Sequence, residues 1–336
     1  MTRIEALQRR GIRRLGTPKN GFRYQQADGS AVSKEDLGRI RDLRLPPAWT
    51  EVFIAAAPGA ALQAIGRDAA GRWQYRYHEA RVLERERQKC RRLIAFLEAL
   101  PRMRAAIARD IALPGLPREK VLAVVVRIMA TRFLRPGSRQ YVHENDSYGL
   151  ATLRMKHVRF ARGAVHLSFL GKSGKKHEVE LTNPRVVRVI RDCARLPGRS
   201  LFQFRDTDGR VAPVTRTALN AYIKTEMGEK FSAKDFRTWA GTLICASLLA
   251  KESGDFPETR AGRRRKITGA VKETARRLGN TPSVCRASYI APAVIESFQK
   301  GVTLPASVAS VGALVERRTL HRTEKALVRL LRREVA

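Results

Sequence analysis

Acidic residues are scarce. The 336-residue chain holds 31 Asp and Glu against 66 Lys and Arg, a formal net charge of +35 at pH 7. Such a surplus repels itself and seeks a polyanion, which argues against an enzyme of small neutral metabolites. Cysteine is scarce too. Cys90, Cys193, Cys245 and Cys285 lie far apart with no C-x-x-C pair, so a zinc ribbon and a disulfide scaffold both lack support. Reduced thiols in a cytoplasmic protein are the expectation. Long apolar runs are missing: residues 51–66 are interrupted by Pro58-Gly59, and the opening MTRIEALQRRGIRRLG has no apolar core of signal-peptide length. No basic amphipathic anchor stands out, so the expected partner is nucleic acid and not a membrane. Also absent are H-E-x-x-H, a P-loop, G-x-S-x-G and a carboxylate cluster suited to Mg²⁺. Chemistry on nucleic acid is therefore expected to use no metal or other cofactor. It would need a protein nucleophile, cationic groups in place of ions, and a proton donor for the leaving alkoxide.

What is present is enough to fold. Hydrophobic residues make up 43% of the chain, which supports a sizeable core, and the length suggests about two domains. Residues 1–80 read as short strands and turns, marked by Pro18-Lys19-Asn20-Gly21, Asp28-Gly29, Pro46-Pro47 and Pro58-Gly59. GRWQYRYHEA (71–80) sets Tyr75 and Tyr77 on one face of a strand, with Gln74 and Arg76 on the other. From about residue 81 the period becomes helical: Leu93, Phe96, Leu97 and Leu100, then Met103, Ile107 and Ile111. Pro101 is expected to kink or divide that stretch. The domain boundary is placed near residue 85, giving domains of 1–85 and 86–336.

Residues 119–134 are apolar nearly all round, as in a helix at the centre of a bundle. VRFARGAVHLSFLGKSGKKHEVEL then predicts three short strands, with Val165, Leu167 and Phe169 facing inward, as do Val179 and Leu181. Asn183-Pro184 opens a helix, Thr215 or Thr217 caps the next, and Ser232-Ala233-Lys234-Asp235 forms a capping box. A basic helix over roughly 260–278 ends at Gly279, and Thr281-Pro282 starts a short one. The last twenty residues predict an amphipathic helix. The expected fold class is α+β: a small, mostly β N-terminal domain and a larger, mostly α domain with a three-stranded antiparallel sheet.

Four segments suit metal-free phosphoryl transfer: FLRPGSRQY (133–141), FLGKSGKK (169–176), KDFRTWAGT (234–242) and GNTPSVCRASYIAP (279–292). Their order, an arginine, a hairpin lysine, K-x-x-Arg and a late Ser-Tyr, resembles the type IB DNA topoisomerases of the small poxvirus-like bacterial branch. The tyrosine recombinases share this catalytic domain more distantly. GRWQYRYHE is similar to that family's Q-Y-x-Y strand in the N-terminal half of a DNA clamp, and HENDSYGLATLRMKHV (143–158) to its N-x-x-x-G-L-x-T-L stretch. Each motif alone is weak; their shared order over residues 74–289 carries the resemblance.

The resemblance implies roles. Arg135 and Arg237 would be the catalytic arginines, Lys172 the general acid and Tyr289 the nucleophile. Gly137 and Tyr141 fall at matching offsets, and Gln74, Tyr75 and Tyr77 match DNA contacts. Asn280 stands where many members carry histidine; asparagine can donate to a phosphate oxygen but cannot exchange a proton. His78, His157 or another histidine is left open as a substitute for that role. Lys234 occupies the position where recombinases favour histidine. The implied function is relaxation of supercoiled duplex DNA through a transient 3′-phosphotyrosyl nick, without ATP, by a monomer that closes around DNA in the cytoplasm, on the nucleoid. A site-specific recombinase and a non-enzymatic nucleoid protein are the alternatives.

Overall fold

The computed structural model describes residues 2–251, 256–305 and 310–335. They fall into two compact units, Met1–Gln88 and Lys89–Ala336. The first unit holds a five-stranded antiparallel sheet of β1 (Ile12–Thr17), β2 (Gly21–Gln25), β3 (Thr50–Ile54), β4 (Leu62–Arg67) and β5 (Trp73–Tyr77), in the order β2-β1-β3-β4-β5. Ile12, Ile40, Val52, Ile54 and Ala64 form its core.

Residues 1–80 are more than strands and turns: they include the helices α1 (Arg3–Arg10) and α2 (Lys34–Asp42). Local capping opens both. The Thr2 hydroxyl accepts from the Glu5 N–H while the Glu5 carboxylate accepts from the Thr2 N–H, and Ser33 Oγ accepts from the Asp36 N–H. α1 buries none of its residues, so hydrophobic spacing gave no sign of it.

Helix α3 (Glu79–Ile111) begins in the first unit and continues into the second. Pro101 does not divide it. A helical proline forfeits one backbone hydrogen bond, but Leu97, Leu100, Met103 and Ile107 bury an apolar stripe that runs past it on both sides.

The second unit packs around α4 (Arg118–Arg132), whose residues 121–130 are all buried. After α5 (Arg139–Asn145) comes the meander β6 (Val158–Ala161), β7 (Ala164–Leu170) and β8 (Lys176–Leu181), an antiparallel sheet in that order. Val165, Leu167, Phe169 and Leu181 turn into the core. Next are α6 (Pro184–Ala194), capped by Asn183, and a small sheet of β9 (Gln203–Arg205) and β10 (Val211–Pro213). Thr215 caps α7 (Arg216–Met227). The chain continues through α8 (Ala233–Lys251), α9 (Arg260–Leu278), α10 (Pro282–Tyr289), α11 (Pro292–Gln299) and α12 (Arg322–Val335). The protein is thus α+β, strand-rich at its N-terminus and mostly helical beyond.

A buried ion pair ties three of these helices together. Arg104 of α3 meets Glu324 of α12 at 2.7 Å, and Glu324 also accepts from the Trp239 indole of α8 at 3.1 Å. Both charges are almost wholly removed from water, so deleting either would strand the other at a cost of about 3–5 kcal/mol. Among the described residues, no helix is long and apolar enough to cross a membrane.

Candidate active site

The site is assembled at helix ends. α4 ends on Phe133, which adopts the left-handed conformation at φ 57°, and the chain then turns sharply into Arg135. Leu150 N–H donates to the Arg135 carbonyl at 3.0 Å and Ala151 N–H to the Pro136 carbonyl at 2.7 Å. The loop lies so close that a Cβ on Gly149 would sit 2.6 Å from the Arg135 carbonyl oxygen. Gly137 has φ 81°, and a Cβ there would meet Gly149 Cα at 2.8 Å. The G-L-x-T-L stretch is therefore the bed on which the Arg135 loop rests. Gly137 has a backbone reason to be glycine, independent of any ligand.

Arg237 lies in the first turns of α8. Its exposure is only 3%. Its guanidinium donates to the carbonyls of Phe133 and, at 2.7 Å, Leu278. It thereby joins the end of α4 to the end of α9. Burial first, then the neighbouring Arg135, hold its pKa below the ordinary arginine value, though a guanidinium remains charged in proteins. Beyond Leu278, Gly279 turns the chain at φ 65° and presents Asn280. Asn280 Oδ1 accepts from Arg135. Among the described residues, two donors in this cluster, Arg237 Nε and Asn280 Nδ2, are buried without a hydrogen-bond partner. Unsatisfied buried donors are rare and call for a physical account; converging beside two cations, they suit an anion.

Tyr289 closes α10, and Arg237 Cζ lies 4.8 Å from its ring centroid. Burial acts to raise the phenol's pKa. The charge and hydrogen bonding of Arg237, then of Arg135, outweigh it and leave the group below its ordinary value. The nearby Cys285 thiol is pushed the other way, to about 11, chiefly by burial, and so stays protonated at neutral pH.

Three residues that sequence reasoning passed over hold the Tyr289 backbone. The Thr242 hydroxyl donates to the Tyr289 carbonyl at 3.1 Å and accepts from the Ala291 N–H at 3.0 Å. Lys89 Nζ donates to the flanking carbonyls of Ala287 at 3.2 Å and Ile290 at 2.7 Å. Gly241 admits the chain, since a Cβ there would come within 2.7 Å of the Tyr289 carbonyl oxygen.

Lys172 reaches the site from elsewhere. It stands exposed on the hairpin between β7 and β8, whose turn uses Ser173 at φ 63° and Gly174 at φ 68° and is closed by Gly171 N–H to the Lys175 carbonyl at 2.8 Å. Lys172, Arg135, Arg237 and Tyr289 all line one cavity of about 240 Å³, together with Gly137, Tyr141 and Lys234. Asn280 lies behind Arg135. Tyr141 is 48% exposed. Of the histidines left open, His157 is buried against Tyr148, with Nδ1 accepting from the Arg154 N–H. His78 in the first unit accepts from the Ala80 N–H. The histidine beside the cluster is His177, and its signal was the strand period: residues 177, 179 and 181 share a face.

Gln74, Tyr75 and Tyr77 lie on β5 in the first unit. The tyrosines stack with centroids 6.2 Å apart. Gln74 donates to Asp68 at 2.8 Å. The Asp68 carboxylate, hydrogen-bonded first by Arg72 and also by Gln74, titrates at about 2. Among the described residues, no three His, Cys, Asp or Glu side chains are grouped to hold a metal ion.

Known proteins resemble this chain along most of its length. Residues 78–304 match the family described as eukaryotic DNA topoisomerase I, catalytic core, and residues 21–68 match bacterial DNA topoisomerase IB, N-terminal domain. DNA topoisomerase 1B of Acanthamoeba polyphaga mimivirus is 34% identical over 294 residues, covering 86% of this chain and 88% of the viral protein. DNA topoisomerase 1B of vaccinia virus (strain Copenhagen) is 25% identical over 237 residues, covering 69% of this chain and 71% of its own.

Proposed function

The chain belongs to the type IB DNA topoisomerase family, and on that premise we propose that the Tyr289 cavity relaxes supercoiled duplex DNA by transient cleavage of one strand. One observation carries the assignment of residues: a phenol with the Arg237 guanidinium over its ring and Arg135 acting on it by charge and hydrogen bonding, in a cluster where Arg237 Nε and Asn280 Nδ2 are buried without a partner among the described residues. A free phenol titrates near 10 and is a sluggish nucleophile at neutral pH. Arg237 and Arg135 favour its anionic form. Tyr289 Oη, its proton released to solvent, attacks the phosphorus. The P–O5′ bond breaks, and the 5′ oxygen takes a proton from Lys172 Nζ.

Arg135, Arg237 and Asn280 hold the non-bridging oxygens as charge builds on them. The free strand end then rotates about the intact strand. In the reverse step the 5′-OH returns its proton to Lys172, attacks the 3′-phosphotyrosyl ester and expels Tyr289. The ester conserves the bond, so ATP has no step to drive.

The N-terminal unit, with Gln74, Tyr75 and Tyr77 on β5, is the second arm of a monomeric clamp on the nucleoid. Gly137 and Tyr141 border the scissile phosphate. The test is incubation with supercoiled plasmid in EDTA without ATP. Relaxation of both positive and negative supercoils is expected. Tyr289→Phe should bind duplex nearly as well yet leave no covalent adduct in denaturant. An adduct persisting in Tyr289→Phe, or a strict Mg²⁺ requirement for cleavage, would refute the assignment.

A further inference from the structure

His177 has no part in the chemistry above, yet it sits where the acid's hairpin meets the phosphate cluster. It lies on β8 opposite Phe169, and its ring stacks on the Phe169 ring at 5.1 Å with 18° between planes. Its edge faces two glycines, tightly at one and with room for a methyl group at the other. A Cβ added at Gly171, the residue before Lys172, would fall 2.7 Å from both Cδ2 and Nε2. A Cβ added at Gly279, the residue before Asn280, would fall 3.4 Å from Cε1 and 3.6 Å from Lys175 Cδ. The hydrogen bond that closes the hairpin, Gly171 N–H to the Lys175 carbonyl, joins the two hairpin residues that border this ring. One imidazole thus lies tight against the hairpin root and faces the Asn280 turn across a space that a methyl group on Gly279 would fill.

We propose that His177 is a positioning residue for the general acid: seated tight against Gly171 and facing Gly279, its ring sets how closely the root of the Lys172 hairpin can approach the turn carrying Asn280. The surroundings favour an uncharged ring. Burial, then the cations Arg135, Lys175 and Arg237, lower its pKa. The ring therefore serves as a shaped spacer. The other groups around the phosphate are held by helix ends, whereas Lys172 depends on a two-stranded hairpin for its register. A misplacement of about 1 Å in a reacting group costs roughly 10²-fold in rate; the tight contact is on the hairpin side, so a spacer at this point acts chiefly on proton delivery to the 5′ oxygen.

The inference rests on the reading of Lys172 as the acid, and the experiment separates the two. Cleavage is timed for His177→Ala, His177→Phe, Gly171→Ala and Lys172→Ala on ordinary DNA and on a substrate with sulfur at the 5′ bridging position, where a thiolate leaves without a proton. His177→Ala should be slowed by roughly 10²-fold on ordinary DNA and should approach the wild-type rate on the sulfur substrate. His177→Phe, which keeps the stacked ring, should remain close to wild type on both. Gly171→Ala, which pushes on the ring from the other side, should reproduce the sulfur-rescued defect and covers the case in which His177→Ala does not fold. Equal slowing of His177→Ala and Gly171→Ala on both substrates, or no slowing on either, overturns the positioning role. If Lys172→Ala is not rescued by sulfur, the acid assignment falls and the positioning role falls with it. Rescue of Lys172→Ala without rescue of His177→Ala removes only the latter.

Discussion

In the N-terminal unit, Arg39 pairs with Asp36 at 2.8 Å, Arg67 with Glu51 at 2.9 Å and Arg72 with Asp68 at 2.8 Å. Around the Tyr289 cavity, Arg135 and Arg237 have no carboxylate partner among the described residues; their hydrogen bonds go to an amide oxygen, two backbone carbonyls and the Tyr289 phenol. A carboxylate beside a cation cancels the field it would offer a phosphate, and an exposed pair contributes only about 0–1 kcal/mol to stability. A cation satisfied by carbonyl dipoles keeps its full charge for a ligand. These three arginines of the first unit are neutralised by carboxylates, whereas the second unit keeps two without a described carboxylate partner close to Tyr289. The chain's surplus of 35 positive charges matters less than where the few acids were left out.

If that contrast governs the chemistry, Arg237→Ala should have the largest effect. Cleavage should fall by at least roughly 10²–10³-fold, and the pH at which activity rises should move up, because the phenol loses the cation that most lowers its pKa. A pH–rate profile measures both. An unshifted profile would break the link between Arg237 and the nucleophile. Asn280→Ala should cost less, since the arginines share the charge on the phosphorane, and it should slow cleavage and religation without moving the profile. Asn280→His should do better than alanine. No defect in Asn280→Ala would reduce the residue to a turn former.

Smaller still is Thr242→Val. It preserves shape but leaves the Ala291 N–H and the Tyr289 carbonyl without the partner they share. Denaturant titration should show a loss of about 1–3 kcal/mol, accompanied by slower cleavage at unchanged DNA affinity. The smallest effect belongs to the other region. Binding should weaken with salt, at a log–log slope of about −0.9 per phosphate contact. Arg76→Ala on exposed β5 should reduce that slope by about 1 and leave single-turnover cleavage at saturating protein intact. A cleavage defect in Arg76→Ala would erase the distinction between the two regions.

Much of this architecture can be read from residue order. The all-apolar stretch that became α4, the alternation of Val165, Leu167 and Phe169, the Asn183 and Thr215 caps and the Gly279 stop are all local signals that tertiary packing reinforces. The helices α1 and α2 escaped because each is only two to three turns long: α1 buries none of its residues and α2 only Ile40, so their clearest signals lay in the capping residues. Pro101 misled because the penalty it imposes is local, whereas the buried stripe that overrides it runs the length of α3. At the site, Arg135, Lys172, Arg237 and Tyr289 were visible as ordered motifs and share one cavity. The supports were harder to see. Lys89 lies two hundred residues before the carbonyls it holds, and Thr242 looks like any helical threonine. His177 was within reach, two residues before the inward Val179, but its charge class argued for solvent.

Arg237 also sets a limit on anyone who wants an inert version of this protein. Its guanidinium is the rivet between the ends of α4 and α9, so a substitution there would loosen the frame as well as remove the catalytic role proposed for it. A catalytically dead scaffold that still grips duplex, for pull-downs or for roadblocks on a template, is better made at Tyr289, where removing one hydroxyl leaves the rivet, the cavity and the charge in place.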